Sequence, residues 1–189
     1  MSRINIAFGF FFLALSAALG PYMLLKLHPT ANQAQEGRVA ATGRLAEVAG
    51  ANYDDPETLA PITADKLGRL VTDALLAINR EINARAPIDA VRSGPHVHGN
   101  LEALLNIAVG VVMLFVSCKP AWMKQVIGWL FILGTLLHSG MLYLAIVFNQ
   151  SWAGQILGTG IGPLMILAGM VLAGLAVALG WRGQVTGDN

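Results

Sequence analysis

Residues 155–181 read QILGTGIGPLMILAGMVLAGLAVALGW, a run without a single charged side chain. About 20 mostly apolar residues suffice to cross a bilayer as a helix, so this stretch alone places the chain in a membrane. Three more stretches pass the same test: residues 4–25, 100–118 and 125–148. The last three stretches together contain one acid, Glu102, and one histidine, His138. In lipid each backbone polar group must be bonded within its own segment, so these stretches are read as helices. The expected fold class is all-α: an integral membrane four-helix bundle, with an extra-membrane helical loop between the first and second spans.

Composition agrees. Of 189 residues, 55% are hydrophobic and 12% charged, about half the charge of a soluble domain. The net charge of +1 gives no electrostatic footprint for nucleic acid. One cysteine, Cys118, excludes an internal disulfide framework and a cysteine metal cluster. The first stretch has the basic start (Arg3) and small residues (Ser16, Ala17, Ala18) of a signal peptide. Its apolar run continues to Leu25, beyond the ~7–15 residues of a signal core, and it is read as a retained span.

The positive-inside rule sets orientation. The link between the second and third spans carries Lys119 and Lys124 and no acid, which places it in the cytoplasm. Arg3 and Arg182 agree, so both termini are expected in the cytoplasm of a bacterial inner-membrane protein. Tyr22 and Trp152 then fall near the outer interface, and Trp122, Trp129 and Trp181 near the inner one. The expected organisation is a first helix at 1–26, an outer periplasmic helical loop at 27–99, a three-helix segment at 100–182 (100–118, 125–148, 155–181) and a cytoplasmic tail at 183–189.

Nine of the eleven acids lie between Glu36 and Asp89, which marks the outer loop as water-exposed. Thr30-Ala31-Asn32-Gln33 reads as a capping box opening a helix that stops at Gly50. A second helix is expected over 64–86, with Thr63 as N-cap and Pro87 just past its end. Leu67, Leu70, Val71, Ala74, Leu75, Ile78 and Ile82 form its apolar stripe, and Asp65–Arg69 and Glu81–Arg85 are i,i+4 ion pairs. The hairpin either caps the bundle or docks a partner. Tyr53-Asp54-Asp55-Pro56-Glu57 is acidic without the pattern of a calcium loop.

An ionisable side chain inside a bilayer is costly and is a functional candidate by default. The second span opens His96-Val97-His98-Gly99-Asn100-Leu101-Glu102-Ala103-Leu104-Leu105-Asn106. His98, Glu102 and Asn106 are spaced i, i+4, i+8 and share a helix face. The third span is an antiparallel neighbour, and depth counting brings His138 to the level of Asn106. A polar pocket of His98, Glu102, Asn106 and His138, joined by Tyr143, is therefore expected in the outer half of the bundle. Histidine can ligate a metal or haem, Glu102 can orient it or carry a proton, and a quinone or other small apolar molecule suits such a pocket. The bland counterpart is an Asn106–His138 interhelical hydrogen bond that holds helices together. His96 and His98 alone are two ligands, too few for a metal site. In the fourth span Gly154-xxx-Gly158-xxx-Gly162 is a close-packing pattern, and Pro163 is expected to kink the helix.

Leu101-Glu102-Ala103-Leu104-Leu105-Asn106 with Gly110, and Gly134-Thr135-x-x-His138 with Leu142 and Tyr143, resemble segments of a family of four-helix membrane isomerases. That family includes styrene oxide isomerase and hydroxylaminobenzene mutase. The resemblance covers the four spans and omits the outer loop. It implies a homo-oligomer, a trimer by the family's habit, with a haem b acting as Lewis acid on a small apolar substrate. It places Asn106 on the family's pocket asparagine, Asn100 on its haem-ligating histidine and His138 on an asparagine of the third span; the catalytic tyrosine falls one position from Tyr143. The implied function is an isomerase, mutase or redox protein with His98 or His138 as cofactor ligand (metal-ligating through haem iron) and Asn106, Glu102 and Tyr143 as catalytic residues. Two other classes stay open: a non-enzymatic membrane anchor or accessory subunit of a larger complex, and a quinone-binding subunit without haem.

Overall fold

The structure, a computed structural model, describes residues 1–55, 57–118 and 120–185. Pro56 of the acidic segment, Lys119 of the inner link and residues 186–189 of the expected tail lie outside the described residues. The protein is all-helical, 83% helix with no strand among the described residues.

Three helices are long and apolar enough to cross a membrane: Ser2–Gly50, Trp122–Val147 and Ile161–Gly180. Four were expected. The difference is α5, Val97–Met113, which is 17 residues long and carries His98, Asn100, Glu102 and Asn106 within its first ten residues. The residues that make α5 interesting are those that lower its hydropathy.

Contacts divide the chain into two units, Met1–Pro21 with Ala90–Asn189, and Tyr22–Asp89. In the first unit α1 (Ser2–Ala17) packs antiparallel on α5, α5 packs on α6 (Trp122–Thr135), and α6 on α8 (Ile161–Gly180). Glycine sets how closely α1 and α5 approach. A Cβ on Gly9 would stand 2.7 Å from the Ala103 carbonyl oxygen, and one on Gly110 2.7 Å from that of Ser2. Val109, Met113, Val116, Ile127, Phe131, Ile166 and Ala176 form the apolar core of this unit.

The fourth stretch is not one helix. α7 (Ser151–Gly158) ends, Gly160 takes φ +68°, and α8 starts at Ile161. Pro163 therefore sits in the first turn of α8, where a missing N–H costs nothing, and the expected kink is instead a break at Gly160. Of the glycine pattern only Gly162 meets a neighbouring helix; a Cβ there would lie 2.7 Å from the His138 nitrogen. Gly154 and Gly158 face open space.

The second unit holds most of the expected outer loop. The short helix α2 (Leu19–Tyr22) and a π-helical turn, Met23–Leu27, lead directly into α3 (His28–Gly50). With helix upstream, the amides near Thr30 are no longer orphans, so the expected capping box has nothing to cap; the stop at Gly50 is as read. α4 runs Ala64–Val91, through Pro87 rather than ending before it. Thr63 does cap it, its Oγ1 accepting from the Lys66 amide at 3.3 Å. α4 buries Ala74, Ala77 and Glu81, whereas Val71, Leu75, Ile78 and Ile82 of the expected stripe are exposed. Glu81 is held by Arg38 of α3 and by Arg85 of α4 itself.

Candidate functional site

Glu102 is the centre of the site. It is 4% exposed, on the face of α5 turned toward α6. One carboxylate oxygen, Oε1, is paired with Nδ1 of His138. The other, Oε2, accepts a hydrogen bond of 2.7 Å from Ser139 Oγ. The cost of burying a carboxylate is thereby offset by two polar partners. His138 and Ser139 lie in a π-helical turn, Leu136–Gly140, that continues α6. Such turns insert an extra residue into a helix and re-aim its side chains, often at functional positions.

One turn deeper lies Asn106, fully buried. Its Nδ2 donates to the Glu102 carbonyl at 2.9 Å and to Thr135 Oγ1 at 2.9 Å, and its Oδ1 accepts from Asn5 Nδ2 at 3.2 Å. Asn5 Nδ2 also reaches the Gly128 carbonyl at 3.1 Å. Three helices, α1, α5 and α6, are thus joined by one polar chain of Asn5, Asn106 and Thr135, topped by Glu102, His138 and Ser139.

The expected partners are therefore displaced by about a turn. Asn106 meets Thr135, and His138 meets Glu102 instead of Asn106. A shift of three residues on a helix is roughly 4.5 Å, and counting from an assumed span end could not resolve it.

His98, one turn from Glu102, completes the cluster. Its ring stands edge-on to that of His138, centroids 4.9 Å apart at 68°. One donor atom each from His98, Glu102 and His138 lies within 4.8 Å of the others. Both histidines are partly exposed, whereas Glu102 is buried.

Tyr143 is placed differently from the expectation. It is buried, but its hydroxyl donates to the Leu15 carbonyl at 2.7 Å and its ring packs edge-on against Phe12. It ties α6's continuation to α1 rather than facing the carboxylate. His96 likewise engages α1, its Nδ1 3.0 Å from the Ser16 carbonyl oxygen. Asn5, Thr135 and Ser139 enter the site without having been candidates. An amide in the otherwise apolar first stretch was a usable signal for Asn5; short hydroxyl residues are too common in membrane helices to single out the other two.

The residues do not fit the haem b site that the resemblance implies. The implied ligand position is Asn100, an amide whose Oδ1 is buried with no hydrogen-bond partner among the described residues. The two histidines that would replace it are in mutual ring contact beside a carboxylate. That is a compact two-nitrogen, one-oxygen set rather than a single imidazole facing a flat macrocycle. No protein-family model, curated protein or solved structure matches this chain.

Proposed function

We propose that this chain is a multi-pass inner-membrane protein, both termini cytoplasmic, in which α1, α5, α6 and α8 form a four-helix bundle around an acid–base centre acting on a small apolar molecule from the lipid. The chemistry would be isomerase-like. The observation that carries this reading is the buried Glu102 carboxylate held by His138 and Ser139.

An inside-out distribution of polarity supports the membrane part. Asn5, Asn106, Thr135 and Ser139 are at most 1% exposed, while Phe11 is 78% and Leu179 86% exposed. A water-soluble fold would reverse this. α5 needs no great hydropathy of its own, because α1 and α6 cover its polar face. A carboxylate paired with an imidazole can accept a proton and return it, which is what a double-bond or epoxide rearrangement requires without an outside reagent.

Two measurements test the reading. Infrared difference spectra of the protein in proteoliposomes, recorded across pH, should show a carboxyl band that vanishes in Glu102→Gln. Aryl epoxides or other small apolar isomerisable compounds should be turned over by the wild type and not by Glu102→Gln or His138→Ala. A spectrum without that band sinks the acid–base reading; a band without turnover removes the isomerase reading alone.

A second reading, an accessory subunit of a larger complex, is favoured by the exposed apolar residues Val71, Leu75, Ile78 and Ile82 on α4. Extraction in mild detergent with a companion chain in stoichiometric amount would support it. A clean homo-oligomer, such as the trimer implied by the resemblance, would count against it.

A further inference from the structure

We propose that His98, Glu102 and His138 form a binding site for one divalent first-row transition-metal ion. The inference rests on the site assigned above and names its cofactor.

The geometry has three parts. First, His98 and Glu102 stand at i, i+4 on α5, so both side chains leave the same helix face one turn apart. The same spacing puts two ligands on one ion in helical zinc motifs. Second, His138 approaches from the antiparallel neighbour, and donor atoms of all three lie within 4.8 Å of one another. Metal–ligand bonds of about 2.1 Å in a tetrahedral site set donors roughly 3.4 Å apart. The site requires the outermost donors to close by about 1.4 Å, through rotation of the two partly exposed histidine side chains. Third, the chemistry of the set is selective. Two imidazoles and a carboxylate suit zinc or ferrous iron rather than calcium or magnesium, and three protein ligands leave a position for water or substrate.

The surroundings are those of a metal centre. Ser139 Oγ holds the Glu102 oxygen that His138 does not use. Outer hydrogen bonds of this kind fix a ligating carboxylate. A bound ion would replace the direct contact between His138 Nδ1 and Glu102 Oε1. An ion here would act as a Lewis acid toward an oxygen of the apolar substrate. Gly162 of α8 keeps the His138 backbone free of side chain on that flank, since a Cβ would lie 2.9 Å from the His138 Cβ.

The test uses the untagged full chain in detergent, stripped with a chelator that is then removed, and titrated with Co²⁺. One Co²⁺ per chain is expected, with visible ligand-field bands, displaced by Zn²⁺. His98→Ala, Glu102→Gln and His138→Ala should each weaken Co²⁺ on the order of tenfold or more, and Ser139→Ala by about tenfold with the bands retained. His98→Ala is the safest for folding, because His98 lies outside the buried hydrogen-bond chain. Wild-type Co²⁺ uptake no greater than that of the His98→Ala/Glu102→Gln/His138→Ala triple variant overturns the site, as does unchanged affinity in His98→Ala. Loss of the metal inference with a persisting Glu102 carboxyl band leaves the acid–base reading intact; Co²⁺ binding without that band does the reverse.

Discussion

Glu102 holds two helices together through one side chain, with His138 on one oxygen and Ser139 on the other. Glu102→Ala leaves buried Ser139 and partly exposed His138 without their acceptor, and is expected to cost about 1–3 kcal/mol. Glu102→Gln, which keeps one acceptor oxygen, should cost less; thermal unfolding in detergent distinguishes them. Asn106 makes three hydrogen bonds, to Asn5, the Glu102 carbonyl and Thr135. The bonds to Asn5 and Thr135 cross between helices, so at an average of ~0.6 kcal/mol per interhelical bond Asn106→Ala should lose roughly 1 kcal/mol by the same measurement. At this scale Glu102, Asn106, His98 and His138 were legible because polar groups stand out in apolar helices. Tyr143 was misread, since a tyrosine buried between helices can hydrogen-bond to a backbone carbonyl as readily as face a ligand.

Among the elements, α7 and α8 are separated by Gly160 at φ +68°, a conformation that a Cβ disfavours by roughly 1–2 kcal/mol. Gly160→Ala should therefore destabilise the protein by about 1 kcal/mol, while Pro163→Ala, in the first turn of α8, should be nearly neutral in the same unfolding assay. Within Tyr22–Asp89 the carboxylates are tied down. The Lys66 side chain, 2.5 Å from Asp55, holds the Asp55 carboxyl below its usual range. Burial pushes Glu81 up, but hydrogen bonds from Arg38 and Arg85 outweigh it, and its net shift is downward. Both groups thus have folded values depressed below their unfolded ones. Their contribution is complete above the ordinary carboxylate range and is lost as pH falls through the folded values. The stability advantage of wild type over Glu81→Leu, followed by circular dichroism of the full chain, should therefore be largest near neutral pH and shrink as pH falls below about 5.

For the whole molecule, the proposal of four membrane helices predicts a definite topology. Single cysteines placed at Ala121 and Arg182 in a Cys118→Ser background should react with impermeant maleimide only from the cytoplasmic side, and one at Asn83 only from outside. Labelling of Ala121 and Asn83 positions from the same side would overturn the four-span arrangement. The misfit of haem predicts that protein purified from cells with ample haem shows no Soret band; a band lost in His138→Ala would restore a haem site.

Helical class and extreme apolarity followed from the sequence alone, because a run such as 155–181 has few other solutions in water or lipid. The polar candidates followed too, as exceptions within those runs. The partners of each candidate did not. Whether His138 meets Asn106 or Glu102 depends on a helix register of one turn, set by glycine contacts such as Gly9 on Ala103 and by the π-helical turn at Leu136–Gly140. The fate of α4's stripe is likewise settled by packing, whereas the break at Gly160 is a local positive-φ turn. Periodicity reports which residues share a face; only neighbouring helices decide what that face meets.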